Sequence, residues 1–329
     1  MSLNSYKTFT TIALVMVGIY YFKHIRTADF VYEDTEWVNS KTATSFISEL
    51  KSLPNKDLVA LTIIPNHPKI AHSINLAIHI LNALILSLLI ERWNKNNGWI
   101  IGSLFLINPL SIQAVAYASG RAELMSLTAL IGFLWFSTID QWSTSVRWLG
   151  IIISIIVMLT TKPTVIIVAP ILLLWIYISN FDLNYLAGLI LFMLVILVTL
   201  FTFIVPSMLG VSITSISLYH WFLTQTSASW ILQWEALTSR GLSIDHAWWA
   251  VSYNIQVIAV ICVAIIGIII LIKKSSAIAF GIGWWWIALS PRLVTPVYLG
   301  WIREHHAYVP LVGFSIALGS ILKLLPSKS

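Results

Sequence analysis

Long apolar segments recur along the whole 329-residue chain, and they constrain its fold more than any other feature. Each runs for roughly 15 to 23 residues, about the length that an α-helix needs to cross the hydrocarbon core of a bilayer. The roughly ten-residue alternation of apolar and polar positions that marks a membrane-spanning strand is missing from the sequence. The pattern therefore predicts helices that cross a membrane.

The overall composition points to the same class of protein. Hydrophobic residues make up 58% of the chain and charged residues only 10%, whereas soluble domains carry about 25% charged residues. The formal net charge of +6 comes from basic residues scattered singly between the apolar segments, which is not the basic stripe of a nucleic-acid-binding protein. We therefore expect an all-α polytopic membrane protein, folded as a single transmembrane domain over 1–329 without a soluble domain and without a nucleic-acid partner.

The apolar segments predict about ten transmembrane helices. Cytoplasmic loops of membrane proteins are enriched in Lys and Arg. Basic residues flank both chain ends and two short loops, which predicts cytoplasmic termini and leaves two long loops, about 23–68 and 207–250, on the extracytoplasmic side. Each long loop carries an amphipathic stretch, 40–51 and "SASWILQWEAL" at 227–237, expected to form an interfacial helix. The predicted spans are 7–22, 69–90, 98–107, 122–138, 147–160, 163–179, 184–206, 251–272, 276–290 and 308–325.

An acidic cluster follows the first apolar segment directly. The stretch "DFVYEDTEWVNS", 29–40, places four carboxylates within a dozen residues beside a membrane surface. Carboxylates are costly to desolvate, so these side chains either stay in water or have partners. One reading is a solvated acidic loop. The other is a general base, because removing the proton of a hydroxyl nucleophile requires a carboxylate or histidine within hydrogen-bond reach. Glu33 and Asp34 are the candidates.

Six stretches of the chain, taken in order, resemble the motifs of one family. That family is the transmembrane, often tetratricopeptide-bearing, protein O-mannosyltransferases, which belong to the GT-C superfamily of membrane glycosyltransferases. The resemblance implies a GT-C-like fold and covers nearly the whole chain, although no tetratricopeptide segment is present in it. The six stretches are "FVYEDTEWVNS" (30–40), "HSINLAIHILNALIL" (72–86), "LFLINPLSIQAVAYASGRAELMSLTAL" (104–130), "LTTKPTVIIVAP" (159–170), "GLSIDHAWW" (241–249) and "REHHAYVPLVGF" (303–314).

The resemblance implies a reaction and a set of site residues. A sugar would pass, with inversion, from a polyprenyl-phosphate donor in the membrane to an extracytoplasmic acceptor, with Glu33 as the base and Asp34 as a near-equal alternative. A phosphate leaving group needs cations, and no metal cofactor is expected. The expected donor-binding residues are Arg121, Lys162, Arg303, His305, His306 and Tyr308, and the expected acceptor or loop-support residues are His72, Asp245, His246 and Glu304.

The chain departs from the family pattern at several motif positions. Glu33 replaces the first aspartate of the acidic pair, Pro163 replaces a glutamate, and His305 stands where arginine is usual. Asn108 and Gln113 replace a histidine and a glutamate. The fold expectation is unaffected, but the sugar stays open. The acceptor also stays open between the Ser or Thr hydroxyl of an exported protein and a surface glycan.

Several polar residues also have a structural explanation that requires no functional site. His72, Asn75, His79 and Asn82 form one stripe of a predicted helix, which favours interhelical hydrogen bonding over metal ligation. Arg121 and Glu123 either form an interfacial salt pair or belong to a site. Lys162 either binds the phosphate of the donor or extends its side chain along the membrane to reach water. For Asp245 and His246, the alternative to a role in the site is that they stabilise the loop in which they lie.

Two other classes of function compete with a glycosyltransferase. A lipid flippase or transporter is expected to have charged or interrupted helices at mid-membrane and often an internal repeat, and the sequence contains neither. A non-catalytic membrane scaffold would tolerate isosteric changes at Glu33 and Asp34. The expected location is a cell (inner) membrane, crossed many times, with the active site outside the cytoplasm.

Overall fold

The computed structural model describes residues 3–29, 67–93, 97–138, 141–180, 218–240, 276–294 and 303–324. Regular structure within these ranges is α-helix, with two short 3-10 turns, and this confirms the all-α prediction. The chain divides into two compact units, unit 1 (Met1–Ile166) and unit 2 (Ile167–Ser329). The single-domain organisation stays a prediction.

Unit 1 is built around two central helices. The helix α2 (Pro68–Trp93) packs against α3 (Gly98–Leu106) and α5 (Arg121–Thr138), and α5 packs in turn against α6 (Thr144–Thr161). Leu86 and Leu89 of α2 and Phe105 of α3 are among the buried side chains. The helix α2 starts with Pro68, a residue favoured in the first helical turn because its missing N–H has no partner there anyway. The helices of unit 1 are α1 (Leu3–Tyr21), α2 (Pro68–Trp93), α3 (Gly98–Leu106), α4 (Ser111–Ala116), α5 (Arg121–Thr138) and α6 (Thr144–Thr161). After Lys162 the chain continues as α7 (Pro163–Asn180).

In unit 2 the backbones of two helices lie close together. Its helices are α8 (Leu218–Thr238), α9 (Ser276–Val294) and α10 (Leu311–Leu324). A Cβ atom on Gly313 of α10 would lie 2.4 Å from the carbonyl oxygen of Gly281 in α9, so glycine is required for this backbone contact. The helix α8 packs on α9, where Trp285 Nε1 donates a 2.9 Å hydrogen bond to Ser229 Oγ.

The described helices support membrane association. Both α2 and α6 are long and apolar enough to cross a bilayer. Along α6, large apolar side chains including Trp148, Ile152 and Ile156 are exposed. A soluble protein rarely leaves such a continuous apolar surface in water, and it marks contact with lipid or with another protein.

The predicted segments agree with the helices where both are described. The span predicted at 98–107 is α3, the one at 276–290 is the main part of α9, and the stretch 227–237 lies inside the longer α8. The spans predicted at 184–206 and 251–272 and the surface helix at 40–51 lie outside the described residues. The number of spans, about ten, therefore stays a prediction.

Candidate functional site

The polar stripe of α2 forms hydrogen bonds to neighbouring helices in unit 1. His79 Nε2 lies 3.0 Å from the carbonyl oxygen of Leu106, and Asn82 Nδ2 donates to the carbonyl of Leu124 at 2.9 Å. Thr128 Oγ1 donates to Asn82 Oδ1 at 2.7 Å. These side chains are buried, so each bond offsets the cost of removing a polar group from water. The interhelical reading of the stripe is confirmed at both positions.

Asn75, one turn before His79 on the same stripe, binds a buried arginine. Arg121, the first residue of α5, is only 1% exposed. Its Nε donates to Asn75 Oδ1 at 2.9 Å and its Nη2 donates to the carbonyl of Ala71 at 3.1 Å. Asn75 Nδ2 in turn donates to the carbonyl of Tyr117 at 2.6 Å and lies 3.3 Å from that of Val115. Asn75 thus fixes both the arginine and the loop that precedes it.

The glycine before Arg121 allows this geometry. A Cβ atom on Gly120 would lie 2.2 Å from the carbonyl oxygen of Ala114, a distance that no side chain tolerates. The backbone before α5 therefore lies so close to α4 that only glycine fits at position 120. The "GRAEL" stretch therefore has a structural reason for its glycine, and the arginine follows at the start of α5.

Glu123, two residues after Arg121, forms an ion pair with Lys162. The Lys162 ammonium contacts Glu123 Oε1, and the two side chains are 14% and 6% exposed. A buried ion pair is electrically neutral as a unit, but the loss of either partner leaves an uncompensated charge. Glu123 therefore pairs with Lys162 and not with Arg121, and Lys162 is not extended to water.

The predicted donor-binding residues of unit 2 lie in one short segment. A 3-10 turn, Glu304–Ala307, follows Arg303, and the Arg303 backbone N–H donates to His306 Nδ1 at 3.0 Å. The rings of His305 and His306 are 4.0 Å apart between centroids in an edge-to-face arrangement. Tyr308 and Glu304 are buried. The bond at Nδ1 places the proton of a neutral His306 on Nε2.

A second acid lies close to Glu304. Glu235, near the end of α8, is 2% exposed. Burial raises the pKa of its carboxyl from 4.5 to about 8, with the negative charge of Glu304 as the second cause. The two carboxyls therefore share one region of unit 2, where one of them is protonated at neutral pH.

The local sequence pattern identifies neither Glu235 as a site residue nor the partner of Glu123. Glu235 lies in a stretch that is predicted only as amphipathic, and its neighbour Glu304 is 69 positions away in the chain, so no local pattern marks the pair. Glu123 lies two positions from Arg121, which favours the pairing of these two in the sequence. An acid inside an otherwise apolar helical stretch, as in "WILQWEAL", was the one available signal for Glu235.

The remaining predicted site residues divide into two groups. His72 lies on α2, next to the carbonyl of Ala71 that Arg121 contacts, and is buried. Glu33, Asp34, Asp245 and His246 lie outside the described residues, so their roles stay predictions.

Comparison of the chain with protein-family models, with curated proteins and with solved structures finds no match. The resemblance to the O-mannosyltransferases thus stands on the sequence motifs. The geometry adds one relationship between those motifs. Two contacts in unit 1 join three separate motif stretches: Arg121 bonds to Asn75, and Glu123 pairs with Lys162.

Proposed function

We propose that the chain is an integral-membrane glycosyltransferase of the GT-C type. It takes a sugar from a polyprenyl-phosphate donor and transfers it to an extracytoplasmic acceptor, first of all a protein Ser or Thr hydroxyl. The protein crosses the cell membrane many times, and its donor reaches the site from the lipid phase. The described all-α architecture and the two bilayer-length helices support this placement.

One observation carries the proposal. Three of the six stretches that resemble the family place their polar residues in contact, through the Arg121–Asn75 hydrogen bond and the Glu123–Lys162 ion pair. Buried charged groups in a membrane helix bundle are costly, and they commonly mark a functional site. A chain that merely shared apolar patterns with the family would have no reason to join these particular positions.

The proposed chemistry is a single displacement. A carboxylate, Glu33 or Asp34, removes the proton of the acceptor hydroxyl, whose oxygen attacks the anomeric carbon from the face opposite the phosphate. The bond from that carbon to the phosphate oxygen breaks, and polyprenyl phosphate leaves with the electron pair. Cationic groups stabilise the charge that develops on the leaving phosphate. In unit 1, Lys162 is the candidate for this role, and Arg121 holds the start of α5 in place. The motif resemblance adds Arg303 and His305 as further candidates.

The acceptor has two candidates that the same mechanism serves. A Ser or Thr hydroxyl of an exported protein is the first, in line with the motif resemblance. A hydroxyl of a surface glycan is the second. A flippase or a scaffold, in contrast, would make no new glycosidic bond.

The test compares cells with and without the gene. Mass spectrometry of exported proteins and of surface glycans should reveal one sugar modification that disappears on deletion and returns with the wild-type gene. Complementation with Glu33→Gln and with Asp34→Asn should show that at least one loses about a hundredfold or more of the transfer rate, the typical effect of removing a general base.

A matched control lies in the same acidic cluster. Asp29 is exposed at the end of the first described segment, and Asp29→Asn makes the same chemical change without touching the proposed base. It should leave the modification at the wild-type level. Full transfer by both Glu33→Gln and Asp34→Asn, or an unchanged glycan profile on deletion, would refute the proposed function.

A further inference from the structure

The two carboxylate oxygens of Glu123 differ in their hydrogen bonding. Oε1 contacts the Lys162 ammonium. Oε2 is buried and has no hydrogen-bond partner among the residues that the structure describes. Native proteins satisfy nearly all buried polar atoms, so a buried charged acceptor without a bond calls for an explanation. A bound group that donates a hydrogen bond would satisfy this oxygen.

Several polar groups of unit 1 have bonds to identified partners. Glu91, at the other end of α2, uses its Oε2 to accept the backbone N–H of Gly98 at 3.0 Å. Arg121 Nε and Nη2 donate to Asn75 Oδ1 and to the carbonyl of Ala71. On α2, Asn75, His79 and Asn82 bond to carbonyls of neighbouring segments. Glu123 Oε2 differs from these bonded groups.

The position of the free oxygen restricts the ligand. Because Oε1 and Oε2 belong to one carboxylate, the acceptor Oε2 lies beside the Lys162 ammonium that Oε1 contacts. A cation and a hydrogen-bond acceptor placed side by side match a ligand that carries an anion next to a hydroxyl. A sugar joined to a phosphate is such a ligand, since its ring hydroxyls donate and its phosphate oxygens accept.

We propose that Glu123 binds the sugar of the donor: Oε2 accepts a hydrogen bond from one ring hydroxyl while Lys162, held by Oε1, contacts the adjoining phosphate. This assignment rests on the proposed function, and it adds a residue that recognises the sugar separately from the phosphate. Glu123 thereby gives the donor site a preference for a lipid phosphate that carries a sugar over one that does not.

The first experiment uses the wild-type protein in detergent. Binding is measured for a short-chain polyprenyl phosphate and for its mannosyl, glucosyl and N-acetylglucosaminyl phosphodiesters. The sugar that binds best is then replaced by deoxyfluoro analogues, one ring position at a time, because fluorine cannot donate a hydrogen bond. One position should weaken binding by about tenfold or more, the expected loss for a bond to a charged group.

The second experiment removes the acceptor. In Glu123→Gln the side-chain carbonyl stays on Lys162 and an NH₂ group takes the place of Oε2, which turns the acceptor into a donor. The preference for the sugar-bearing lipid should fall by about tenfold, and the sensitive fluorine position should become neutral. Affinity for the sugar-free polyprenyl phosphate should not fall, because Lys162 loses an anionic competitor.

Two further variants keep the test decisive. Glu91→Gln makes the same change at a carboxylate whose Oε2 is already bonded, and it should leave every affinity unchanged. Glu123→Asp keeps the charge opposite Lys162 and shortens the side chain by one methylene, so the fluorine effect should shrink even if Glu123→Gln unfolds.

The outcomes separate this inference from the proposed function. If the wild type binds no polyprenyl phosphate, the glycosyltransferase proposal fails and the role of Glu123 fails with it. If the wild type binds the donor but no single fluorine weakens it, the role of Glu123 alone is overturned. An equal fluorine effect in the wild type and in both Glu123 variants overturns it as well.

Discussion

Arg121 and Asn75 are joined by a 2.9 Å hydrogen bond from the guanidinium Nε to the amide oxygen, 46 positions apart in the chain and both buried. This contact ties the start of α5 to the N-terminal half of α2. It also leaves Asn75 Nδ2 free to bind the carbonyl of Tyr117, so one amide organises the arginine and its preceding loop.

Asn75→Ala should therefore destabilise unit 1. The change removes the partner of the buried guanidinium Nε, which costs about 1–3 kcal/mol for the unsatisfied group. It also removes one of the two hydrogen bonds that the Tyr117 carbonyl accepts, the other coming from the Gly120 N–H. Thermal unfolding in detergent should show a clearly lower midpoint than the wild type. Ser73→Ala is the control, because Ser73 lies on the same helix and bonds only within its own turn, to the carbonyl of Lys69. Equal midpoints for the Asn75 and Ser73 variants would contradict the bridging role.

The Glu123–Lys162 pair should show strong coupling. Replacing one partner, as in Lys162→Met or Glu123→Leu, leaves the other charge buried without its counter-ion. This should lower the free energy of unfolding by about 3–5 kcal/mol. The double variant removes both charges and should cost much less than the sum of the two single changes. Denaturant or thermal unfolding of the four proteins gives the coupling directly. Additive effects would mean that the pair does not form.

Glu235 should make the stability of unit 2 depend on pH. Its carboxyl pKa is about 8 in the folded protein against 4.5 ordinarily, first through burial and second through the charge of Glu304. The folded state therefore binds the proton more tightly than the unfolded state, so stability falls as the pH rises from about 4.5 to about 8 and then levels off.

Glu235→Gln cannot ionise and should lose that part of the pH dependence. Its melting temperature should match the wild type near pH 5 and exceed it at pH 9. Glu304→Gln removes the second cause of the raised pKa of Glu235, so this pKa should lie below its wild-type value. The fall in stability should then end at a lower pH and be smaller than in the wild type. Parallel pH profiles for wild type and Glu235→Gln would show that Glu235 does not titrate as described.

Gly313→Ala should separate α9 from α10. The added Cβ would lie 2.4 Å from the carbonyl oxygen of Gly281 and 2.7 Å from the backbone nitrogen of Trp285, and backbone atoms cannot rotate away. Overpacking of this kind costs about 1–3 kcal/mol. Gly132→Ala is the matched control, since its Cβ would meet only the rotatable Ser154 hydroxyl, at 3.0 Å. Thermal unfolding should rank Gly313→Ala well below Gly132→Ala, and the reverse order would contradict the close contact.

The sequence by itself determined where most of the described helices run and that the polar stripe of α2 faces other helices. Apolar length and helical spacing are local properties, so the segments predicted at 98–107 and 122–138 nearly coincide with α3 and α5, and the stripe through His79 and Asn82 was read correctly. Only the tertiary structure decided which side chains become partners. Glu123 pairs with Lys162, 39 positions away, and not with its neighbour Arg121. Glu235 owes its raised pKa partly to Glu304. The partner of a buried charge depends on which distant segments pack around it, because burial removes the competition of water, and no local periodicity encodes that choice.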